Sequence, residues 1–462
     1  MSCVADICVA EIIVVGAGPA GINAAERLCA HGHRVVLVDE GRQAGGQGYR
    51  RPSPGLDLDM AALMGSEAGK YEALHARFAR LLPQIDYRPQ TLVWAVEDHM
   101  LHLVQAGVAS MLRFDALVLA TGAMDKIAPF PGWTLPGVFT LGGAQVALKD
   151  QGCLIGRRVA FLGSSPLLAL AAAQYRRLGG EVAAIADTTP FTSKLAALPA
   201  LTRSPRTLWR GLSYLVGAML AGVPILNGVT PVEVVGDGHV EALILRDRRG
   251  RERHFPCDAI ALGYGLKPET QLAELAGATL RFDEAFRLWL PQCDADGRAA
   301  PGLYLAGDGA AIGGADAAEA SGGLAAMAVL ADLGEPVDER ARLALRRRLS
   351  RLRGFQKGLA KAFAWPVAQI RALPDEVMLC RCEEVRIGEI RQAMAQQLGP
   401  VEINRVKAMT RCGMGRCQGR VCGPALQEIV AGTAAIAGEQ AGRLRAQAPV
   451  KPIALSVASE AP

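Results

Sequence analysis

The feature that most constrains the fold is a glycine motif directly after an apolar run near the N-terminus. Gly16, Gly18 and Gly21 form Gly-x-Gly-x-x-Gly, preceded by the apolar residues 12–15 and followed by an alanine-rich stretch of helical character. In a strand–loop–helix unit, such glycines permit a tight turn, let a pyrophosphate approach the backbone, and let the helix pack on the strand. The chain is therefore expected to begin with the βαβ unit of a dinucleotide-binding fold. The predicted binding residues of this loop are Gly16, Gly18, Pro19, Ala20 and Gly21.

Two carboxylates follow at the end of the next predicted strand. Residues 35–38 are apolar, and Asp39 and Glu40 come directly after them. A carboxylate in this place holds the ribose hydroxyls of a dinucleotide. Asp39 fits best by its distance to the glycine pair that ends in Gly46, and Glu40 is the close alternative. Gly46 and Gln47 resemble the second phosphate-side contact of two-domain flavoprotein reductases, with an ordinary turn as the alternative.

Two later segments also resemble that superfamily. Ala120, Thr121 and Gly122 follow an apolar run and resemble the crossover out of its flavin domain. Gly307 and Asp308 follow another apolar run, and the resemblance implies that Asp308 meets the ribityl chain of the flavin. Capping of the next helix is the alternative role for Asp308. Because the segments lie so far apart in sequence, the flavin domain is expected to be discontinuous.

The segment between them repeats the first unit in a damaged form. Residues 159–162 are apolar and lead into Gly163, but Ser165 and Leu168 stand where the second and third glycines belong. A serine Cβ obstructs the approach of a pyrophosphate. The duplication therefore predicts a second Rossmann-like domain with a structural or interface role rather than tight NAD(P) binding. The proline- and glycine-rich residues 130–138 are expected to link the two domains.

Five cysteines are concentrated near the C-terminus. Cys380 and Cys382 form a Cys-x-Cys pair, Cys417 and Cys422 a Cys-x4-Cys pair, and Cys412 lies between them. Four thiolates suit either tetrahedral zinc or a [2Fe-2S] cluster. The Cys-x-Cys spacing is unusual for zinc, and the second pair lies in a glycine-rich loop, so the pattern favours the cluster. The predicted ligands are Cys380, Cys382, Cys417 and Cys422, with Cys412 as a neighbour.

The sequences CRCEE and TR-x-GMG-x-CQGR-x-C around these cysteines resemble the ferredoxin-like domain of the bacterioferritin-associated ferredoxin type. Together with the rest of residues 11–424, they resemble the FAD/[2Fe-2S] α subunits of heteromeric amino-acid and opine dehydrogenases. That family includes subunits of opine oxidase, of D-hydroxyproline and L-proline dehydrogenases, and of hydrogen cyanide synthase. The resemblance implies FAD, or ATP in the first site, a [2Fe-2S] cluster, and FMN at an interface between subunits. It also implies a β subunit like a glycine or D-amino-acid oxidase, with a small γ subunit in some assemblies.

The motifs that are missing limit the chemistry of the chain itself. There is no Cys-x-x-Cys beside Gly46 or in the second unit, and no His/Asp or paired-carboxylate arrangement that would act on a substrate. The amine or imino acid is therefore expected to be oxidised on the partner, with electrons relayed through this chain. An NAD(P)H-dependent ferredoxin-type reductase and a zinc-containing assembly scaffold are the alternative functions.

Size and composition set the domain organisation. The 462 residues suggest about three domains. The net charge of +5 is too small to indicate nucleic acid, no run is long enough for a transmembrane helix, and free thiols suit the cytoplasm. Residues 340–361 contain nine basic residues and no acidic one, at helical spacing. The expected domains are a discontinuous FAD-binding domain (1–125 and 290–335), a degenerate NAD(P)-type domain (126–289), a basic helical linker (336–374), a [2Fe-2S] domain (375–432) and a tail (433–462). The tail is expected to lie on a partner or to be disordered.

Overall fold

The structure, a computed structural model, describes residues 8–396, 399–454 and 456–459. It is an α/β fold of two nucleotide-binding domains and a small cysteine-rich domain, which confirms the expected fold class. Cys3 and the side chain of Cys8 lie outside the described residues. The nine cysteines whose side chains are described form no disulfide, as expected for a chain without a disulfide framework.

The strands in the described residues are β1 (Cys8–Val15), β2 (Val35–Val38), β3 (Ile85–Arg88), β4 (Thr91–Glu97), β5 (Met100–Gln105), β6 (Val108–Leu119), β7 (Ala123–Asp125), β8 (Val138–Thr140), β9 (Arg158–Gly163), β10 (Glu181–Asp187), β11 (Ile225–Asn227), β12 (Thr230–Val235), β13 (Ala242–Arg246), β14 (Glu252–Pro256), β15 (Ala259–Gly263), β16 (Leu266–Pro268), β17 (Leu280–Asp283), β18 (Leu288–Pro291), β19 (Arg298–Ala300), β20 (Leu303–Leu305), β21 (Met378–Cys380), β22 (Val385–Arg386) and β23 (Ala458–Ser459).

The α-helices are α1 (Pro19–Ala30), α2 (Met60–Met64), α3 (Ala68–Leu81), α4 (Leu141–Gln151), α5 (Leu167–Arg177), α6 (Phe191–Leu201), α7 (Pro205–Leu220), α8 (Gln271–Leu275), α9 (Ala315–Asp332), α10 (Glu339–Ala362), α11 (Val367–Arg371), α12 (Ile387–Ala395), α13 (Ile403–Thr410) and α14 (Gly423–Thr433).

The first domain is built on a sheet with the order β19-β20-β6-β1-β2-β3. Its central strands are parallel, and β2 is buried along its whole length, which is why its sequence is continuously apolar. Strand β20 pairs with β6, so two distant parts of the chain complete one sheet and the domain is discontinuous. From the sequence, the chain was expected to return to this domain at residue 290, but it returns earlier. Leu272 and Ala273 of α8 already pack in the same core as Ile13 of β1.

The second domain repeats the parallel arrangement in the order β11-β10-β9-β15-β8. Helices α4 and α5 pack on this sheet through a core that includes Phe161 and Tyr175. The chain passes between the domains through β7 and β16, which pair with each other as two antiparallel strands. Both crossings therefore lie side by side.

Helix α10 carries the predicted basic stretch and joins the two domains to the C-terminal region. It runs without a break through Gly354 and Gly358, although glycine lowers helix propensity. A Cβ on Gly358 would lie 2.7 Å from the Cβ of Ala200, so this glycine lets α6 pack closely on α10. Three of its nine basic residues pair with carboxylates of other elements: Arg342 and Arg346 with Asp296, and Arg348 with Asp316.

The cysteine-rich domain is fixed rigidly to the rest of the chain. Its buried residues belong to the same apolar core as those of the second domain. The indole Nε1 of Trp133, in the link between domains, donates to the carbonyl of Met378 at 2.7 Å. Glu428 on α14 is 1% exposed and accepts from Arg287 and Arg371 at 2.8 and 3.0 Å.

The described part of the tail packs on this chain, which corrects the expectation that it lies on a partner or is disordered. Arg443 pairs with Glu274, and the amide of Val450 donates to the carbonyl of Trp94 at 2.9 Å. Strand β23 pairs with β6. In the described ranges, we find no helix of the length and apolarity needed to cross a bilayer.

Candidate nucleotide and metal centres

The glycines of the first loop allow three segments to meet. Gly16 has φ +108°, and a Cβ there would lie 2.3 Å from the carbonyl oxygen of Ala120. A Cβ on Gly21 would lie 1.8 Å from the carbonyl oxygen of Gly16, so only glycine lets α1 start this close to β1. A Cβ on Gly307 would lie 2.9 Å from that of Ala20. The loop therefore meets the turn after β6 and the turn after β20.

Gly18 has no comparable structural reason to be glycine. Its φ of −85° suits any residue, and the nearest atom to a Cβ there would be the Cα of Gly46 at 3.7 Å. It precedes Pro19 at the N-terminus of α1, where backbone N–H groups attract phosphate. The bare backbone of Gly18 facing Gly46 therefore fits a pyrophosphate. Gln47 lies beside this gap in sequence, is exposed, and accepts from Arg50 at 3.1 Å.

The two predicted ribose carboxylates have different surroundings. Asp39 accepts from the amide of Ala17 at 2.5 Å and from that of Gly41 at 2.6 Å. Burial raises the pKa of Asp39, and these two hydrogen bonds oppose that shift. Glu40 is exposed and pairs with Lys451. Asp39 thus holds the glycine loop itself, whereas Glu40 is held toward the tail by Lys451.

The later predicted flavin contacts converge on the same edge of the sheet. The amide of Ala120 donates to Val15, and a Cβ on Gly309 would lie 2.6 Å from Oγ1 of Thr121. Oδ1 of Asp308 accepts from the amides of Gly313 and Gly314 at 2.8 and 3.0 Å. Asp308 therefore does order the approach to α9, and its Oδ2 accepts no hydrogen bond from the described residues. Gly122 has φ +73° and open space around it.

In the second glycine motif, side chains of this chain occupy the positions where glycines would leave the backbone bare. Leu168 is 2% exposed and packs in the core of the second domain, and Ser165 is buried. Asp187, at the place of the ribose carboxylate, pairs with Lys194 at 2.7 Å. These contacts agree with the predicted structural role of this unit.

The structure brings all five C-terminal cysteines together. The Sγ atoms of Cys380, Cys412 and Cys422 lie within 4.8 Å of one another, and all three side chains are buried. Cys417 hydrogen-bonds to Cys422 and to Cys382, which is exposed. A Cβ on Gly415 would lie 2.3 Å from the Cβ of Cys382, so this glycine lets the two cysteine loops meet. The sequence predicts Cys412 as a neighbour of the ligands and not as a ligand, yet its Sγ lies within 4.8 Å of those of Cys380 and Cys422.

Two of the five thiols favour the thiolate form that binds metals. Hydrogen bonds from Cys412 and Cys422 lower the pKa of Cys380 to about 2, and a hydrogen bond from Cys422 lowers that of Cys417 to about 5. The pKa of Cys422 is raised by its hydrogen bonds with the other thiols, and burial raises that of Cys382. A soft metal centre fits this group of thiols.

The cations around the cysteines are less free than their number in the sequence suggested. Arg411 pairs with Glu383 at 2.8 Å, and Lys407 donates to Gln447. Arg420 is buried and pairs with Glu269. A paired cation changes the local potential less than a lone one, so these pairs weaken the support that the cations give to reduction of a cluster.

Residues 269–271 follow β16, and we call this segment the seam. It joins the cysteines to the first domain. Glu269 accepts from the buried Arg420 through both carboxylate oxygens, and its backbone carbonyl accepts from Oγ1 of Thr121 at 2.8 Å. Nη1 of Arg420 also approaches the carbonyl of Cys417 at 3.4 Å. Gln271 donates to the carbonyl of Gln418 at 2.8 Å. The predicted cluster site and the predicted flavin site therefore share one contact region.

Comparison with known proteins identifies the family. Residues 10–323 match the pyridine nucleotide-disulphide oxidoreductase family, and residues 378–432 match the BFD-like [2Fe-2S] binding domain. The opine oxidase A-subunit of Agrobacterium tumefaciens (strain Ach5) is 36% identical over 98% of this chain and 92% of its own length. The chain belongs to the opine oxidase A-subunit family. Membership confirms the resemblance noted in the sequence, and the chain is an FAD-dependent oxidoreductase with a [2Fe-2S] domain.

Two further relatives extend the comparison. The HcnB component of hydrogen cyanide synthase of Pseudomonas aeruginosa is 32% identical over 89% of this chain and 90% of its own length. L-proline dehydrogenase from P. horikoshii has the same fold, with a TM-score of 0.73 and 20% identity over 97% of this chain and 79% of that one.

Sequence reasoning missed the residues of the seam and the anchor at Trp133. Glu269 and Arg420 lie far apart in the chain, and Glu269 looks like an ordinary surface charge in sequence. Only its place after Pro268, a few residues beyond the apolar residues 259–262, marks it as lying at the end of a strand segment. No local pattern predicted its partner.

Proposed function

We propose that this chain is the electron-transfer subunit of a heteromeric dehydrogenase that oxidises an amine of the opine, D-hydroxyproline or proline type. The observation that carries the proposal is the seam, where Glu269 contacts both Thr121 beside the predicted flavin site and Arg420 in the cysteine loop. A flavin exchanges electrons in pairs or singly, whereas a [2Fe-2S] cluster exchanges them one at a time. The two groups together therefore convert a two-electron transfer into one-electron transfers.

The chain's own residues divide the work. Gly18 and Gly46 leave the backbone bare for a pyrophosphate, and Asp308 offers its second oxygen to a ribityl hydroxyl. Cys380, Cys382, Cys417 and Cys422 hold the cluster, and Cys412 lies beside it. The seam fixes the cysteine loop against the flavin side, so no domain movement is needed between the two centres.

The C–N bond is oxidised on a separate β subunit that resembles a glycine or D-amino-acid oxidase. The proposed assembly also includes FMN at the interface between the subunits and a small γ subunit. Three curated relatives are named as subunits of opine oxidase, and one as a subunit of hydrogen cyanide synthase, which supports a heteromeric assembly. An alternative form of this proposal places ATP instead of FAD in the first nucleotide site. Nine free thiols suit the cytoplasm.

The test is purification of the full chain with and without the product of an adjacent oxidase-like reading frame. We expect a brown protein containing iron and sulfide in equal amounts, an EPR signal on reduction, and oxidation of opines or imino acids only when both polypeptides are present. Full activity of the lone chain would contradict the division of labour. Rapid flavin bleaching by NADH without an amine would favour the ferredoxin-type reductase, and zinc without iron would favour the scaffold.

A further inference from the structure

Helix α7 presents an apolar face to solvent. Trp209, Met219 and Leu220 are 74, 62 and 84% exposed, and Leu212 and Val216 lie on the same side of the helix and are also exposed. We call these five side chains the α7 face. The other side of α7 packs on α5, with Ala218 buried. A helix that is apolar on both sides is normally covered on both sides.

Helix α6, which precedes α7, has the same two-sided character. Phe191, Leu195 and Leu198 are exposed, whereas Ala197 and Leu201 pack against α10. Of the fifteen large hydrophobic residues that are exposed in the described part of the chain, eight lie on these two helices.

The exposed area matches a subunit interface better than a monomer surface. With full side-chain areas of about 150–250 Å², the eight residues expose on the order of 900 Å². The largest apolar patch of a typical monomer is about 300–600 Å². A stable interface buries about 800 Å² on each partner. The two helices therefore expose enough apolar surface for a permanent contact.

Charge indicates what kind of molecule covers this surface. Neither helix contains an acidic residue. Beside them lies a groove of about 580 Å³ lined by Arg203, Arg346, Arg347, Ser350 and Arg351. A complementary surface is apolar at its centre and carries carboxylates at its rim. A second copy of this face would bring arginines against arginines, so self-association through it is unfavourable.

An anionic bilayer is the other molecule that combines apolar and negative character. Membrane-surface helices carry Lys and Arg free for headgroups along their flanks. Here two of the three cations on the two helices are paired within the chain, Lys194 with Asp187 and Arg210 with Glu67. The last ten residues of α7 contain no charged side chain. A protein partner therefore fits better than a lipid surface.

We propose that the α7 face, together with the exposed side of α6, is the surface on which the amine-oxidising partner subunit docks. The partner contributes an apolar groove rimmed by Asp and Glu. This inference rests on the proposed function, because it takes the chain to be one subunit of a heteromeric dehydrogenase.

The test compares Trp209→Glu/Met219→Glu with the matched control Leu82→Glu, which places a charge on a half-exposed apolar side chain of the first domain. Each full-length chain is tagged at its genomic locus and purified. Mass is measured by light scattering, and polypeptides, flavin and iron are quantified. Hydrogen exchange of residues 205–220 is compared between the assembly and the free chain.

We expect the wild type and Leu82→Glu to carry a second polypeptide in a fixed whole-number ratio, with residues 205–220 protected in the assembly. The double variant is expected to elute at the mass of a single chain with its flavin and iron retained. Trp209→Ser, which adds no charge, is expected to weaken the association at least about tenfold.

Three results would overturn the docking surface: a double variant that keeps the second polypeptide, an assembly that contains only this chain, or flotation of wild type but not the variant on phosphatidylglycerol vesicles. A wild-type protein without flavin and iron refutes the proposed function instead. The two failures are therefore distinguishable.

Discussion

Removing the charge of Glu269 and removing that of its buried partner Arg420 are predicted to shift the midpoint potential of the cluster in opposite directions. Arg420 is buried and its Nη1 lies 3.4 Å from the carbonyl of Cys417, so its charge is close to a cluster held by the thiol of that residue. Reduction of the cluster adds negative charge. Arg420→Met leaves an unpaired carboxylate and should lower the midpoint potential, whereas Glu269→Gln leaves an unpaired cation and should raise it.

The size of the shift follows from Coulomb's law. One charge at about 7 Å, with an effective dielectric constant of about 20, contributes about 2.4 kcal/mol. For a one-electron couple this corresponds to about 100 mV. Solvent near the partly exposed Glu269 reduces the effect, so shifts of tens of millivolts up to that value are expected. In the double variant both charges are gone, and the potential should return close to that of the wild type.

The assay is an EPR-monitored redox titration of each purified full-length variant at pH 8. Glu274→Gln is the matched control, because Glu274 lies close to Glu269 in sequence and also pairs with an arginine, but its partner Arg443 lies in the tail and not in the cysteine loop. Its potential should stay within about 20 mV of the wild type. Thermal unfolding checks the fold, since removal of one partner of a buried pair costs about 3–5 kcal/mol. Shifts of the same sign in both single variants would refute the reasoning.

Three further predictions concern the cysteines, the nucleotide loop and a buried lysine. Cys412→Ala should keep the cluster absorbance whereas Cys422→Ala should lose it, because only the latter is a predicted ligand; equal loss of iron in both would make Cys412 a ligand. Gly18→Val should lower flavin content at least about tenfold without changing the fold, because the added side chain meets only Gly46 in this chain; unchanged flavin content would contradict the site. Burial lowers the pKa of Lys149 to about 8, so its charged form destabilises the folded protein below that pH and this penalty is relieved as the pH rises toward 10.4. Lys149→Met should therefore gain roughly 2–3 kcal/mol over the wild type at pH 7, less at pH 10, in chemical unfolding; a pH-independent difference would exclude this cause.

Local patterns were sufficient to predict the first domain. The glycine-specific contact of Gly21 is with the carbonyl of Gly16, five residues earlier, and strand, loop and helix follow each other directly. The duplication of the strand–loop–helix unit could be predicted for the same reason, because Ser165 and Leu168 fall at fixed offsets from Gly163. The [2Fe-2S] domain followed from cysteine spacing, which two thiolate pairs on one metal centre require.

Long-range contacts and boundaries were not predictable in this way. The early return at α8 depends on Leu272 joining the same core as Ile13 of β1, and apolar packing has no signature in spacing. The tail looked unstructured because its alanines and prolines form no regular element, yet Arg443 and Val450 hold it to the first domain. The pairing of Glu269 with Arg420 depends on the same fold-level proximity.

The shared core of the second domain and the cysteine-rich domain has a consequence for biosynthesis. Residues that emerge early from the ribosome, such as Trp133 and Phe255, belong to one core with Leu379 and Ile429, which are made more than a hundred residues later. The core of the second domain is therefore incomplete until the cysteine-rich domain has been made. A chain ending at residue 374 should aggregate rather than accumulate as a stable flavoprotein. Its cysteine-rich domain is thus a requirement for maturation, quite apart from any electron it carries.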